Sequence, residues 1–338
     1  MALKRKTRNL NSSDGAVLIL VLWVLAILVL LGVGLGFATS LDQRLVGYQR
    51  DRLMALYLAK AGYLRAVVEL ERDPTPQVDC FLDPWAHNPQ AFQEATLGQG
   101  SFTVSYRLPG EAGPVGIVYG VVDEDRKVNI NTAPKAVLAR LPGMTEEIAD
   151  AIVEWRRDKR GLRELRERSF EVLEEVLLVK GMTDEIFQAL DPFITIYTDG
   201  KVNLNTAPRE VLKALGMGES LINKLLRFRR GLDGIRGTVD DQCFASVASA
   251  PQELAAFDAL APQEAVQLTN LITQNRLKVT SSFFRIHSSG AVRNGKIIRS
   301  MEGIVQRVAG RSGLPAISMH TPSELPRLVV RPAPYARR

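Results

Sequence analysis

An uncharged apolar run near the N-terminus is the strongest pattern in the chain. Between Gly15 and Asp42 no residue carries a charge, and residues 16–38 are almost all apolar. At about 1.5 Å per residue, a helix over this run is about 34 Å long, enough to cross a hydrocarbon core of about 30 Å. The pattern therefore predicts a transmembrane helix over residues 16–41.

After residue 41 the apolar pattern becomes periodic. Apolar side chains recur at steps of three and four, with charged residues between them, at Leu53, Leu56, Ala59, Tyr63, Val67 and Leu70. This spacing predicts that the helix continues as an amphipathic stem over 42–73 and ends before Pro74. The C-terminal half of the stem is expected to pack its apolar face against the protein's own sheet.

Four short apolar segments are typical of β-strands. They are SFTVSYRL at 101–108, GIVYGVVDE at 116–124, KVTSSFFRIHSSG at 278–290 and KIIRSMEGIVQRV at 296–308. Asn294 and Gly295, between the last two, predict a hairpin. A stem helix packed on an antiparallel sheet is the smallest arrangement that buries all four apolar faces. The predicted sheet has a first part over 74–125 and a second part over 276–310.

An internal repeat lies between the two parts of the sheet. KVNINTAPKAVLARLPGM at 127–144 recurs as KVNLNTAPREVLKALGM at 201–217, with Pro142 deleted. Each copy has helix-capping side chains and a proline before one apolar face, and a glycine turn before the next. These residues are Asn131, Thr132, Pro134 and Gly143 in the first copy, and Asn205, Thr206, Pro208 and Gly216 in the second. The repeats predict helical hairpins at 127–157 and 201–230.

The predicted fold class is α+β, an N-terminal helix on a small antiparallel sheet with a large all-α insertion over 126–275. The composition, 46% hydrophobic and 24% charged, is that of a folded protein. The net charge of +6 is unevenly distributed, since residues 126–264 hold twenty basic and twenty-two acidic side chains. The basic excess lies before the apolar run and after residue 275, where a proline-rich composition predicts a disordered basic tail over 311–338.

The start of the chain carries signals for topology and processing. Four basic side chains precede the apolar run, namely Lys4, Arg5, Lys6 and Arg8. They predict a cytoplasmic N-terminus and an exported remainder. An ordinary signal anchor fits these features, but Gly15 followed by AVLILVLWVLA resembles the prepilin leader and N-terminal helix of type IV pilins and type II secretion pseudopilins. The resemblance implies a leader over 1–15, cleavage by a prepilin peptidase between Gly15 and Ala16, and methylation of Ala16.

The chain from Gly15 to about Gly310 resembles the minor pseudopilin K family of type II secretion. Three features carry the resemblance: the glycine leader, Leu20 where most pilin-like proteins have a glutamate at the fifth mature position, and the inserted double repeat. It implies a non-enzymatic, single-pass protein of the bacterial inner membrane with a periplasmic head, which caps the pseudopilus tip. That role promotes and limits pseudopilus assembly for the export of folded proteins.

The resemblance also implies partners. They are the I and J minor pseudopilins, the prepilin peptidase, the inner-membrane secretion platform and the lipid bilayer. A membrane-anchored DNA receptor of the ComEA type, with helix-hairpin-helix motifs, is the alternative. In that class the turn has the form LPGIG, whereas here Thr145 and Thr183 replace the second glycine, and only Gly216 and Gly218 keep both. The near-neutral middle segment also disfavours phosphate contacts, so no nucleic acid is expected.

Few residues suggest further chemistry. Asp123, Glu124 and Asp125 form an acidic cluster where the sheet passes into the insertion, and either a calcium site, as in some pseudopilin K proteins, or a solvated turn fits them. Cys80 and Cys243 lie in different predicted domains, without metal-type spacing. We expect two unpaired thiols, although an oxidising periplasm permits a disulfide. The three histidines are scattered, which indicates no catalytic site.

Overall fold

The computed structural model describes residues 12–108, 116–157, 169–234, 238, 240–309 and 315–320. The chain divides into two units, one that ends at Met54 and one that begins at Ala55. The expectations for the leader before Ser12 and for the tail over 321–338 lie outside the described residues.

Helices and strands alternate along the described part of the chain. The helices are α1 (Ser12–Glu71), α2 (Pro89–Phe92), α3 (Lys135–Leu138), α4 (Glu146–Arg156), α5 (Asp184–Leu190), α6 (Arg209–Ala214), α7 (Glu219–Arg230), α8 (Ala250–Phe257) and α9 (Pro262–Thr273). The strands are β1 (Ala95–Leu97), β2 (Gly100–Val104), β3 (Tyr106–Arg107), β4 (Ile117–Val118), β5 (Val122–Asp123), β6 (Val128–Asn129), β7 (Ile194–Thr195), β8 (Val202–Asn203), β9 (Leu277–Lys278), β10 (Phe283–Val292), β11 (Ile297–Ala309) and β12 (Pro315–His320).

The main sheet joins strands from before and after the insertion. Its order is β1-β2-β10-β11-β12, β5 pairs with β10 as well, and all pairs are antiparallel. The turn between β10 and β11 has Asn294 and Gly295 at positive φ, as the Asn-Gly pair predicts. Because β2 precedes the helical segment and β10 follows it, the predicted α+β fold with an inserted helical part is confirmed.

Three strand predictions and one prediction of disorder need correction. Segments 101–108 and 116–124 are both split, since Tyr106 of β3 leaves the main sheet and pairs with Val118 of β4, whereas β5 lies in the main sheet beside β10. Segment 278–290 starts within the insertion, where β9 pairs with β8, and the strand of the main sheet begins only at Phe283. The predicted disorder after residue 310 is wrong for β12, which pairs with the end of β11. Without β12, the outer edge of β11 would have unpaired backbone N–H and C=O groups, and β12 forms hydrogen bonds with them.

The stem periodicity is confirmed in its C-terminal half. Ala59, Tyr63, Val67 and Leu70 are all buried, as predicted, whereas Leu53 is 57% exposed. The helix ends at Glu71, ahead of the two prolines that follow. Within the second unit, the stem therefore contributes a continuous apolar face to the core.

Small residues let this part of the helix approach the sheet closely. Ala55 and Ala59 are fully buried. A Cβ atom at Gly290 of β10 would overlap the carbonyl oxygen of Ala55, and one at Gly62 of the helix would meet Phe102 of β2 at 2.7 Å. The backbone of the helix thus lies directly against the sheet, and no larger residue fits at Gly290.

We expect Gly290→Ala to destabilise the protein by about 3 kcal/mol, because backbone atoms, which cannot rotate away, occupy the place of the new methyl group. Ser289→Ala, on the opposite face of β10, is the matched control and is expected to cost less than about 0.5 kcal/mol. Urea unfolding of the full chain in detergent, followed by tryptophan fluorescence, measures both. Equal stability of Gly290→Ala and the wild type would contradict the close contact.

Candidate functional site

The apolar part of α1 is the first candidate site. Its large side chains are exposed on every side, and Leu20 is 64% exposed among them. A helix that is apolar all round fits a lipid environment, and α1 is the one helix in the described residues long and apolar enough to cross a membrane. A helix that packs against α1 at this position would contact the methyl groups of Leu20. Most pilin-like proteins would present the charged carboxylate of a glutamate there instead. Gly15 and Ala16 lie within α1, and their processing stays a prediction.

The acidic cluster lies at the junction of sheet and insertion, and its burial was not expected. Asp123 ends β5, and Glu124 and Asp125 begin a 3₁₀ turn that runs to Arg126. The three acidic residues are at most 3% exposed, so the expected solvated turn is wrong. Burying adjacent carboxylates costs several kcal/mol each unless every one is paired or hydrogen-bonded. Their partners therefore decide how the two parts of the head are held together.

Asp123 connects the sheet to the second repeat. Its carboxylate accepts hydrogen bonds from the hydroxyl of Thr206 at 2.5 Å, the hydroxyl of Ser281 at 2.7 Å and the side-chain amide of Asn203 at 3.2 Å. The Asn203 amide also donates to the backbone oxygen of Asp79 at 3.0 Å. The start of the second repeat is therefore hydrogen-bonded to the end of β5 and to the loops that contain Asp79 and Ser281.

Glu124 is the centre of a buried ion-pair network. It accepts from Lys127 at 2.8 Å, Arg285 at 2.7 Å and the hydroxyl of Thr195 at 2.7 Å. Burial alone would raise the pKa of Glu124, but the charges of Arg285 and Lys127 more than offset it and hold the pKa well below its usual range. Glu124 is thus a permanent anion between the sheet strand β10 and the first repeat.

Asp125 fixes the chain where it returns from the insertion to the sheet. It accepts from the backbone amides of Ser282 at 2.6 Å and Phe283 at 3.0 Å, and it pairs with Lys278 at 2.5 Å. Burial, followed by the charge of Asp123, raises the pKa of Asp125 to about 6, although Lys278 acts against this shift. The pKa of Asp125 is thus raised and the pKa of its neighbour Glu124 is lowered, although both residues lie in one turn.

The acidic cluster does not fit a shared calcium ion, because Asp123, Glu124 and Asp125 each use their oxygens on separate protein donors. Two other carboxylate groups, which the sequence did not indicate, have oxygens within 4.8 Å of one another in the described residues. They are Asp73, Asp79 and Asp83, and Asp233, Asp240 and Asp241. In the first group, Arg307 pairs with Asp73 and with Asp79, both at 2.8 Å. Calcium binding by the chain stays a prediction.

Each repeat closes with an asparagine clamp that the sequence did not reveal. The side chain of Asn131 accepts from the backbone amide of Phe170 at 2.8 Å and donates to its carbonyl at 3.1 Å. Asn205 makes the same two bonds with Phe244, at 2.8 and 3.2 Å. Both pairs are 39 residues apart, and this equal spacing is the signal that could have found them.

The repeated unit is therefore larger than a hairpin. Phe170 stacks on Trp155 with ring centroids 5.7 Å apart, and Phe244 stacks on Phe228 at 4.2 Å. A pair of short parallel strands joins the beginning and the end of each repeat, β6 with β7 in the first and β8 with β9 in the second. We call residues 127–195 the first module and residues 201–278 the second module.

The hairpin turns are poorly suited to hold a phosphate. Gly143 and Gly216 have the positive φ of such turns, at 72° and 98°. The helices that follow begin with acidic residues, Glu146 and Glu147 in α4 and Glu219 in α7, which repel an approaching phosphate. The backbone amide of Gly218, in the turn with both glycines, already donates to Gln267 at 3.0 Å.

A disulfide joins the sheet part to the second module. Cys80 and Cys243 are bonded across a sequence separation of 163 residues, so the expectation of two unpaired thiols is wrong. The hydrogen bond from Asn203 to Asp79 holds the Cys80 loop against the second module. Distance along the chain therefore gave no guide to distance in the fold.

Replacing Cys80 and Cys243 by serine is expected to lower the free energy of unfolding by about 2–4 kcal/mol, because the unfolded chain loses a large covalent loop. Urea unfolding of the full chain, with and without reductant, measures the loss. Reductant should destabilise the wild type and leave the double variant unchanged, and identical unfolding curves for both proteins would contradict the bond.

We expect Glu124→Gln to cost about 3 kcal/mol at pH 7, because it leaves the buried Lys127 without its anion and removes one of the two carboxylates that pair with Arg285. The folded pKa of Glu124 lies below its ordinary value of 4.5, so this stabilisation is complete above pH 4.5 and is lost as the pH falls below it. The difference in unfolding free energy between wild type and variant should therefore narrow towards pH 3. Glu146→Gln, an exposed ion-pair partner, is the control, and a difference independent of pH would contradict the network.

Two family models match parts of the chain. Residues 14–63 match the model described as PilX N-terminal, which covers the apolar segment and most of the stem. Residues 123–195 match the model described as helix-hairpin-helix motif, which covers the acidic cluster and the first module. No curated protein matches the chain in sequence.

The fold is similar to a solved structure, the GspK-GspI-GspJ complex of the type 2 secretion system from enterotoxigenic Escherichia coli. The matched chains are 18% identical with a TM-score of 0.55, and the match covers 82% of this chain and 96% of that chain. This chain has a long apolar helix, an antiparallel sheet and a helical insertion, and its fold matches that structure. The resemblance to minor pseudopilin K is confirmed by this match.

Proposed function

We propose that the chain is a minor pseudopilin of a type II secretion system that caps the tip of the pseudopilus. The observation that carries the proposal is the architecture, a pilin-type N-terminal helix followed by a sheet that the two modules interrupt between β5 and β10. The similarity of the fold to the solved GspK-GspI-GspJ complex supports it. The protein it resembles is crystallised with GspI and GspJ, which supports the corresponding minor pseudopilins as partners of this chain.

The proposed mechanism is steric and interfacial. The modules add a large rigid body to a sheet that by itself completes a pilin-like head, so no further subunit can be added above this one. Leu20 supplies no carboxylate to bind the N-terminus of a neighbouring subunit. A subunit at the end of the pseudopilus does not need that contact. The basic residues before Ser12 keep the N-terminus in the cytoplasm and the head in the periplasm. The role is structural and requires no catalytic residues.

Mass spectrometry of the N-terminal peptide tests the class. In cells with an active prepilin peptidase, the membrane-extracted protein is expected to begin at methylated Ala16. In cells without it, the leader is expected to remain. An intact leader in both strains would make the chain an ordinary signal anchor and reject the proposal.

Pseudopili in cells that lack the chain test its position. Loss of a tip cap is expected to reduce export and to change the length distribution of overexpressed pseudopili, and the wild-type gene should restore both. Two results together would instead favour the DNA receptor: salt-sensitive binding of DNA by the full chain, and normal export in cells that lack the chain.

A further inference from the structure

A groove on the second module is lined by basic side chains. It runs along one face of α7, has a volume of about 390 Å³, and is lined by Arg209, Asn223, Leu226, Arg227, Arg230 and Gly234. Asn223, Arg227 and Arg230 follow one another at steps of four and three, so they share one side of the helix. Three guanidinium groups thus surround an apolar floor at Leu226, and no carboxylate is among the described lining residues. We call this the arginine groove.

The fold of the module does not require this charge. The repeat alignment, with Pro142 deleted, matches Lys135, Asp150, Val153, Glu154 and Arg157 of the first module to the five side chains that line the groove. Those positions sum to no net charge in the first module and to three positive charges in the second. Since both modules close with the same clamp and stack, the basic groove is a property of the surface alone.

The same substitutions weaken the internal pairing of the first groove residue. Lys135 pairs with two carboxylates, Asp150 at 2.8 Å and Glu146 at 3.1 Å. Arg209 pairs with one, Glu219 at 2.7 Å, and its second partner is the neutral side chain of Asn223 at 2.6 Å. The second module therefore has one carboxylate fewer at this end of the groove.

Two ion pairs at the groove are largely exposed, whereas Arg230 is half-buried and interacts with Asp241. Arg227, whose side chain is 64% exposed, pairs with Asp258 at 3.1 Å, and Glu219, which holds Arg209, is 54% exposed. Exposed pairs of this kind contribute little to stability, so an incoming carboxylate can replace them at small cost. The guanidinium fork matches a carboxylate with two parallel hydrogen bonds, which makes the exchange favourable.

We propose that the arginine groove binds an acidic segment of a partner protein, with two or more Asp or Glu side chains on the arginines and an apolar side chain on Leu226. The spacing of Arg227 and Arg230 along α7 fits carboxylates that lie about one helical turn apart. A nucleic acid is disfavoured, because Glu219 and Asp258 border the groove and a phosphate backbone needs a longer basic track. The proposal is independent of the role in pseudopilus assembly.

Fluorescence anisotropy of the full chain in detergent tests the groove. The probe is a labelled alanine-based peptide with glutamate at every third or fourth position and one leucine, and the control peptide has glutamine in place of glutamate. The wild type should bind only the glutamate peptide. The pair Asn223→Asp with Arg227→Glu gives the second module the charges of the first and should weaken binding about tenfold or more. Lys180→Glu, an exposed charge reversal in the first module, should leave the Kd unchanged.

The reciprocal change provides a second measurement. Asp150→Asn with Glu154→Arg places the basic pattern on the first module and should restore binding to the charge-reversed protein. Urea unfolding of each variant separates lost binding from lost folding. Equal binding of both peptides, no binding by the wild type, or equal binding by wild type and charge-reversed chain would overturn the proposal. Tighter binding of single-stranded DNA than of the glutamate peptide, lost in the same variant, would assign the groove to phosphate and overturn it too.

Discussion

Three consecutive carboxylates, Asp123, Glu124 and Asp125, are buried where the sheet passes into the helical insertion. The hydrogen bonds and ion pairs that each of them requires determine how the insertion is attached to the sheet. Glu124 needs Arg285, a residue of the strand that comes after the insertion. Asp123 needs the start of the second module, and Asp125 needs the backbone at the point of return. Because a buried carboxylate without its partner costs several kcal/mol, both modules must be in place before the junction is stable. The insertion is therefore bound to the sheet by charge and hydrogen bonds at one defined place.

Duplication explains the rest of the insertion. Asn131 and Asn205 hold their modules closed by backbone hydrogen bonds, which constrain the interior and leave the surface free to change. The helices α4 and α7 then differ in charge while their buried faces stay alike. One module has kept a surface of mixed charge, and the other presents arginines. The acidic first turns of the hairpins, common to both, remove the phosphate-binding character that the helix-hairpin-helix pattern would otherwise suggest.

Local signals in the sequence were sufficient for the elements and insufficient for their partners. The apolar run, the periodicity up to Leu70 and the two prolines after it determine α1, because helix formation depends on neighbours in sequence. The repeat and its glycine turns predict the hairpins for the same reason. The Cys80–Cys243 bond and the burial of Glu124 depend on residues more than a hundred positions away, which no local pattern encodes. A run of three acids is normally solvated, so its burial becomes apparent only once Arg285 and Lys278 are seen beside it.

The pairing of β2 with β10 has a consequence for how the head is made. Ser289 and Thr103 are adjacent in the sheet but 186 residues apart in the chain, so β2 is synthesised long before β10. The clamps that close the modules join residues 39 positions apart, so the modules need shorter loops to close than the pairing of β2 with β10 does. During that interval the edge of β2 is open to wrong partners. Loop length therefore favours a folding order in which the inserted modules form first and the surrounding sheet last.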